Sequence, residues 1–193
     1  MRSILEHIDE ILNRVSEATK ATDSKKLERV VYVILRSQRI FFVGVGRSGL
    51  IARFAAHRLA HMGFRVYVVG ETITPAATAH DTLIAISGSG ESEYTVNIAE
   101  KAHSLGAYII AITANPDSRL VRLANTTIFI PAKRESLRVD EKDFLVRQII
   151  GSYEPFSSES GIFEIAATVV LEAITRKLSE ILAENTLTKR VPI

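Results

Sequence analysis

The chain has no cysteine and no tryptophan among its 193 residues. Without cysteine it has no disulfide framework, no thiolate metal site and no cysteine nucleophile. It also lacks an excess of charge of either sign: 24 Lys and Arg stand against 22 Asp and Glu, a formal net charge of +2. That balance offers nucleic acid no basic coat. No hydrophobic run approaches the length of a membrane span. The opening stretch, Met1-Arg-Ser-Ile-Leu-Glu-His7, is amphipathic rather than signal-like. These absences predict a cytoplasmic protein with neither nucleic acid nor membrane as partner. What remains is 47% hydrophobic and 24% charged, the composition of a globular chain. Residues 1–193 are expected to form a single domain with a full core.

Strand-like and helix-like segments alternate along this chain. Ile4, Leu5, Ile8, Ile11, Leu12 and Val15 recur at helical spacing, and Asp23-Ser24 caps a second helix through about Arg36. Strands are predicted at 39–43, 65–69, 82–86, 107–112 and 126–130. Helices are predicted from the 44–49 loop to about His61, from Glu91, and from Ile162 to about Ala183. Residues 131–160 are charged and serine-rich with little periodicity. The alternation predicts an α/β fold: a three-layer αβα sandwich around a five-stranded parallel sheet of flavodoxin-like type, with N-terminal helices and a long C-terminal one.

Two glycine-rich turns carry the chemistry. Ser87-Gly-Ser-Gly-Glu-Ser92 follows the apolar run Leu83–Ile86. It would present backbone N–H groups and the hydroxyls of Ser87, Ser89 and Ser92 at a helix N-terminus, where an anion binds; glycines such as Gly88 let a phosphate approach the backbone. An ordinary capped strand-to-helix turn has the same composition. Gly44-Val-Gly-Arg-Ser-Gly49 matches a dinucleotide fingerprint literally, and Glu71 stands 22 residues beyond Gly49, near where a ribose-binding acid is sought. A pyrophosphate there would leave the 87–92 loop without a role. In a sheet ordered 2-1-3-4-5 the two loops flank the topological switch point, which suits a smaller ligand held between them.

At these loops the chain resembles the sugar isomerase (SIS) domain family, and within it the 6-phospho-3-hexuloisomerase branch. The resemblance is carried by Gly44–Gly49, by His61-Met-Gly-Phe-Arg-Val-Tyr-Val-Val-Gly-Glu-Thr72, by Thr74-Pro75, by Ile86–Ser92 with Val96-Asn97, and by Gly161-Ile-Phe-Glu164. It covers roughly residues 1–130 well and the last helix more loosely. It implies an SIS-type phosphosugar-binding domain that interconverts 3-hexulose 6-phosphate and fructose 6-phosphate. Its partners would be a phosphorylated sugar and copies of itself in a homo-oligomer, expected to be a tetramer, with neither metal nor organic cofactor. A phosphate cradle at Ser87, Gly88, Ser89 and Ser92 is implied, with substrate contacts at Gly46, Arg47 and Ser48. Glu164 is implied as general base, and His61 as a catalytic residue beside a neighbouring subunit. A non-catalytic sugar-phosphate sensor, another aldose or ketose phosphate isomerase and a nucleotide-binding enzyme are the alternatives. The stretch from Tyr153 to Gly161 is longer than the family's approach to the base, and no histidine follows His103, so a tail-histidine role is vacant.

Moving a carbonyl by one carbon needs a proton removed beside it and one returned to the old carbonyl carbon, and one carboxylate can do both through a cis-enediol. The developing enediolate needs nearby donors; Ser48, backbone N–H groups or His61 are candidates. Blander readings stand beside these. Glu164 suits a helix's first turn, and Glu71 caps a turn or belongs to the site. Arg47 meets the phosphate or holds the loop through a carboxylate. His57 and His61 have a metal-ligand spacing but no third ligand.

Overall fold

In the computed structural model of the protein, residues 2–132, 144–152 and 161–188 are described. The predicted apolar runs form β1 (Ile40–Val43), β2 (Val66–Val68), β3 (Thr82–Ile86), β4 (Tyr108–Thr113) and β5 (Thr126–Phe129). All pair in parallel, in the order β2-β1-β3-β4-β5. This is the order that sets β1 and β3 side by side with their connections leaving in opposite directions.

Helices cover both faces of the sheet. They are α1 (Ile4–Lys20), α2 (Ser24–Arg36), α3 (Gly46–His61), α4 (Glu93–Ser104), α5 (Arg119–Leu123), α6 (Phe144–Ile149) and α7 (Ile162–Thr188). The period-2 alternation of a strand divides the core. Ile40, Phe42, Ile84, Ile86, Ile110, Ile112 and Ile128 pack with residues of α1, α2, α3 and α7. Phe41, Val43, Leu83, Ala85, Ile109 and Ala111 pack with residues of α4 and α5. Burial on both faces is why these strands are continuous apolar runs.

Local chemistry sets most helix ends. Ser3 and Glu6 form a capping box on α1, and Asp23 accepts from Lys25 and Lys26 at the start of α2. α4 begins two residues later than its sequence pattern suggests. The Glu91 carboxylate accepts from the Arg119 backbone N–H at 2.8 Å, and Ser92 becomes the N-cap. The short helices α5 and α6 have no counterpart in the periodicity. Among the described residues no helix is long and apolar enough to cross a membrane.

The amino end of β3 carries a buried charge. Arg39 Nε and Nη2 donate to the two Asp81 oxygens at 3.0 and 2.7 Å, and the Thr78 N–H and hydroxyl donate at 2.7 and 2.9 Å. Burial pushes the Asp81 carboxyl up, but the donors outweigh it and hold it below the ordinary carboxylate value. The folded value lies below the unfolded one, so this stabilisation is present above about pH 4 and is lost as pH falls through the folded value. Asp81→Asn should therefore cost about 3 kcal/mol at neutral pH and flatten the acid limb of stability. Urea unfolding at several pH values checks both effects. An unchanged acid slope in the variant would remove Asp81 from that limb.

Candidate active site

The carboxyl ends of β1 and β3 hold the two glycine-rich loops against each other. A Cβ on Gly44 would stand 2.9 Å from the backbone carbon and oxygen of Ser48 and 3.1 Å from the Ile86 carbonyl oxygen. Only glycine lets the first loop turn this tightly against the end of β3. α3 then starts at Gly46 with no side-chain cap, and Ser48 is buried in its first turn.

In the second loop three hydroxyls converge. Ser87 Oγ lies 3.2 Å from Ser92 Oγ and 3.5 Å from Ser89 Oγ. Ser87 Oγ also accepts from the Gly90 N–H at 3.1 Å, and Ser89 Oγ from the Glu91 N–H at 3.2 Å. Ser92 gives α4 no side-chain cap, so the helix's first N–H groups are not spent on a side chain. Hydroxyls that bond one another can rotate to donate to an incoming anion. The loop thus has the donors of an anion cradle.

The segment after β4 braces that loop. Ala114 N–H and Thr113 Oγ1 donate to the Gly88 carbonyl at 3.0 and 3.3 Å, and Asn115 Nδ2 donates to the Ser89 carbonyl at 3.1 Å. Gly90 has φ +65°, and a Cβ there would overlap the Ser118 side chain. Sequence reasoning missed these bracing residues. Asn115-Pro-Asp-Ser118 was the available signal: it is turn chemistry, with Asn115 Oδ1 accepting from the Asp117 N–H at 3.1 Å.

Glu164 is the third residue of α7, its side chain 13% exposed. Arg47 Nε donates to its Oε1 at 3.1 Å, so Arg47 does hold a carboxylate, and that carboxylate is the expected base. The fold thereby joins Gly46, Arg47 and Ser48 to Glu164, while Ser87, Gly88, Ser89 and Ser92 form the adjoining loop. His61 is not brought to this crevice by its own chain. It is exposed at the far end of α3, roughly 22 Å of helix from Gly46, with its ring 4.1 Å from that of His57. Glu71 pairs with Arg53 at 2.9 Å, both half-exposed. No group of three or more potential metal ligands occurs among the described residues. The stretch from Tyr153 lies outside the described residues, except for Gly161.

Comparison with known proteins identifies the family. Residues 33–144 match the SIS domain model. A 3-hexulose-6-phosphate isomerase of Mycobacterium gastri is 36% identical over 189 residues, covering 96% of this chain and 89% of the relative. One of Bacillus subtilis is 35% identical over 175 residues, covering 91% and 89%. Among solved structures, a hypothetical protein of Methanococcus jannaschii, for which a 3-hexulose-6-phosphate isomerase function was inferred, superposes with a TM-score of 0.74 at 32% identity, covering 97% of this chain and 98% of that one.

The bracing of the second loop is testable. Gly90→Ala would force a side chain into Ser118 and a left-handed backbone. It should weaken inorganic phosphate binding at least ~10-fold, about one lost charge-assisted hydrogen bond. Calorimetric titration measures this. Wild-type phosphate affinity in Gly90→Ala would mean that the loop is not the anion site.

Proposed function

The chain belongs to the SIS domain family and is a phosphosugar isomerase, and we propose that it interconverts D-arabino-3-hexulose 6-phosphate and fructose 6-phosphate. The observation that carries this reading is the pairing of Arg47 with Glu164. It ties a mostly buried carboxylate to a loop packed against an anion-ready turn. The relatives named for this reaction support the choice of sugar.

In this reading the second loop takes the phosphate and serves as a handle, its binding energy spent on orienting the sugar. Glu164 removes the proton from C2 while the C3 carbonyl oxygen gains one, giving the 2,3-enediol. The O2 proton then leaves, the carbonyl forms at C2, and Glu164 returns its proton to C3. Arg47 fixes where the carboxylate points. Ser48 stands one residue away to hydrogen-bond a sugar oxygen. An open-chain 3-ketose with its 6-oxygen phosphorylated closes no ordinary five-membered ring, so in that direction a dedicated ring-opening acid has little to do.

We also propose that the working form is a homo-oligomer, with a tetramer expected. Ile4, Leu5, Ile8 and Leu12 leave apolar surface on α1, as do Leu50 and Phe54 on α3 and Ile165 and Val169 on α7. His61 ends α3, where a neighbouring copy's crevice is the one it can serve. Light scattering on the full chain should give several multiples of 21.3 kDa. A monomeric mass would remove His61 from the mechanism.

The reaction itself is tested by solvent-deuterium incorporation into fructose 6-phosphate. Wild type should exchange, and Glu164→Gln should slow exchange at least ~10²-fold while binding the sugar phosphate with similar affinity. A wild-type protein that binds fructose 6-phosphate without exchange is a sensor, not an isomerase. Near-normal exchange in Glu164→Gln would place the base elsewhere.

A further inference from the structure

The enediolate needs a donor at the carbonyl end of the sugar, and in this chain His61 stands a helix length from the first loop. A different cation stands over the side chain that covers that loop. Phe144, the first residue of α6, lays its ring on Gly46: a Cβ there would stand 2.7 and 2.8 Å from two ring carbons. One turn later Arg147 places its guanidinium over the same ring, 5.9 Å from the centroid. The helix ends firmly, with Ser152 N–H donating to the Arg147 carbonyl at 2.9 Å and Ile150 N–H to the Val146 carbonyl at 3.1 Å. Phe144 and Arg147 are thus held together on the first loop.

Arg147 Nε is buried and has no hydrogen-bond partner. A buried donor of a charged group left unsatisfied is costly in a folded protein, and such groups are usually answered by something that binds. The aromatic ring steers the guanidinium by its face and leaves the N–H groups around its rim to donate. Arg47, by contrast, already donates from Nε to the Glu164 carboxylate.

We propose that Arg147 is a catalytic residue whose guanidinium turns on the Phe144 ring as sugar binds, bringing Nε to donate to the sugar oxygen that carries charge in the enediolate, with Phe144 as its platform on Gly46. This assignment rests on the isomerase reading above. It places the phosphate on the second loop and the reacting oxygens under α6, so a phosphorylated ketose spans both and inorganic phosphate reaches one.

Calorimetric titration of wild type, Arg147→Gln and Arg147→Lys, each with fructose 6-phosphate and separately with inorganic phosphate, tests it. Arg147→Gln should lose at least ~10-fold in affinity for fructose 6-phosphate, the size of one charge-assisted hydrogen bond, and keep its phosphate affinity. Its deuterium exchange should fall further than its binding. Arg147→Lys, with its charge but no planar fork, should recover only part of the loss. Wild-type affinity and exchange in Arg147→Gln would overturn the assignment, as would equal losses with both ligands. Wild type that binds phosphate but not fructose 6-phosphate would defeat the ketose reading itself, and this inference with it, a result distinct from either failure of Arg147 alone.

Discussion

Everything at the site depends on how closely the loop after β1 approaches the carboxyl end of β3. Two parallel neighbours in a sheet lie about 4.8 Å apart, and loops leaving them diverge unless something removes the side chains between. Gly44 does so, with its Cα facing both the Ser48 backbone and the Ile86 carbonyl. That contact starts α3 at Gly46, sets Arg47 where it meets α7, and brings the first loop beside the serine hydroxyls. A methyl group at residue 44 would push the first loop outward and dismantle all three.

Stability and chemistry occupy opposite ends of the same strands. At the amino end of β3, Asp81 is well satisfied: four donors meet its two oxygens, two of them nitrogens of Arg39. At the carboxyl end the serine hydroxyls bond mainly to one another and to nearby backbone, at 3.1 to 3.5 Å. Those weaker bonds are replaceable by a ligand, whereas the Asp81 set is not. A parallel sheet buried on both faces permits this division, because the strands are rigid enough to keep one end open.

The parts legible in sequence are the parts fixed locally. β3 matches the predicted strand residue for residue, and α2 begins at the Asp23 cap. Both depend on neighbours a few residues away. The glycine and serine loops were legible for the same reason. The link between Arg47 and Glu164 spans 117 residues, so the sequence allowed either fate for Arg47 and only the packing of α7 against α3 chose one. α6 is not legible in the sequence because Phe144-Leu-Val-Arg-Gln-Ile149 is a single short apolar run inside a charged stretch, too brief to show a period. His61 shows the reverse limit. Its motif was plain, but the position of a residue at the far end of a four-turn helix depends on what that end meets.

Two arginines near one loop would be redundant if both carried charge to the same place, and their surroundings separate them. Arg47 is half-exposed and already bonded to a carboxylate, an arrangement that orients the acid. Arg147 carries no such obligation: its Nε is buried beside an aromatic face with nothing to donate to. Binding a ligand oxygen there relieves an existing cost instead of breaking a bond. In the proposed reaction, a crevice with one arginine committed to the base and another awaiting the substrate would stabilise charge that appears only as the proton moves. That is where binding energy raises a rate, not merely an affinity.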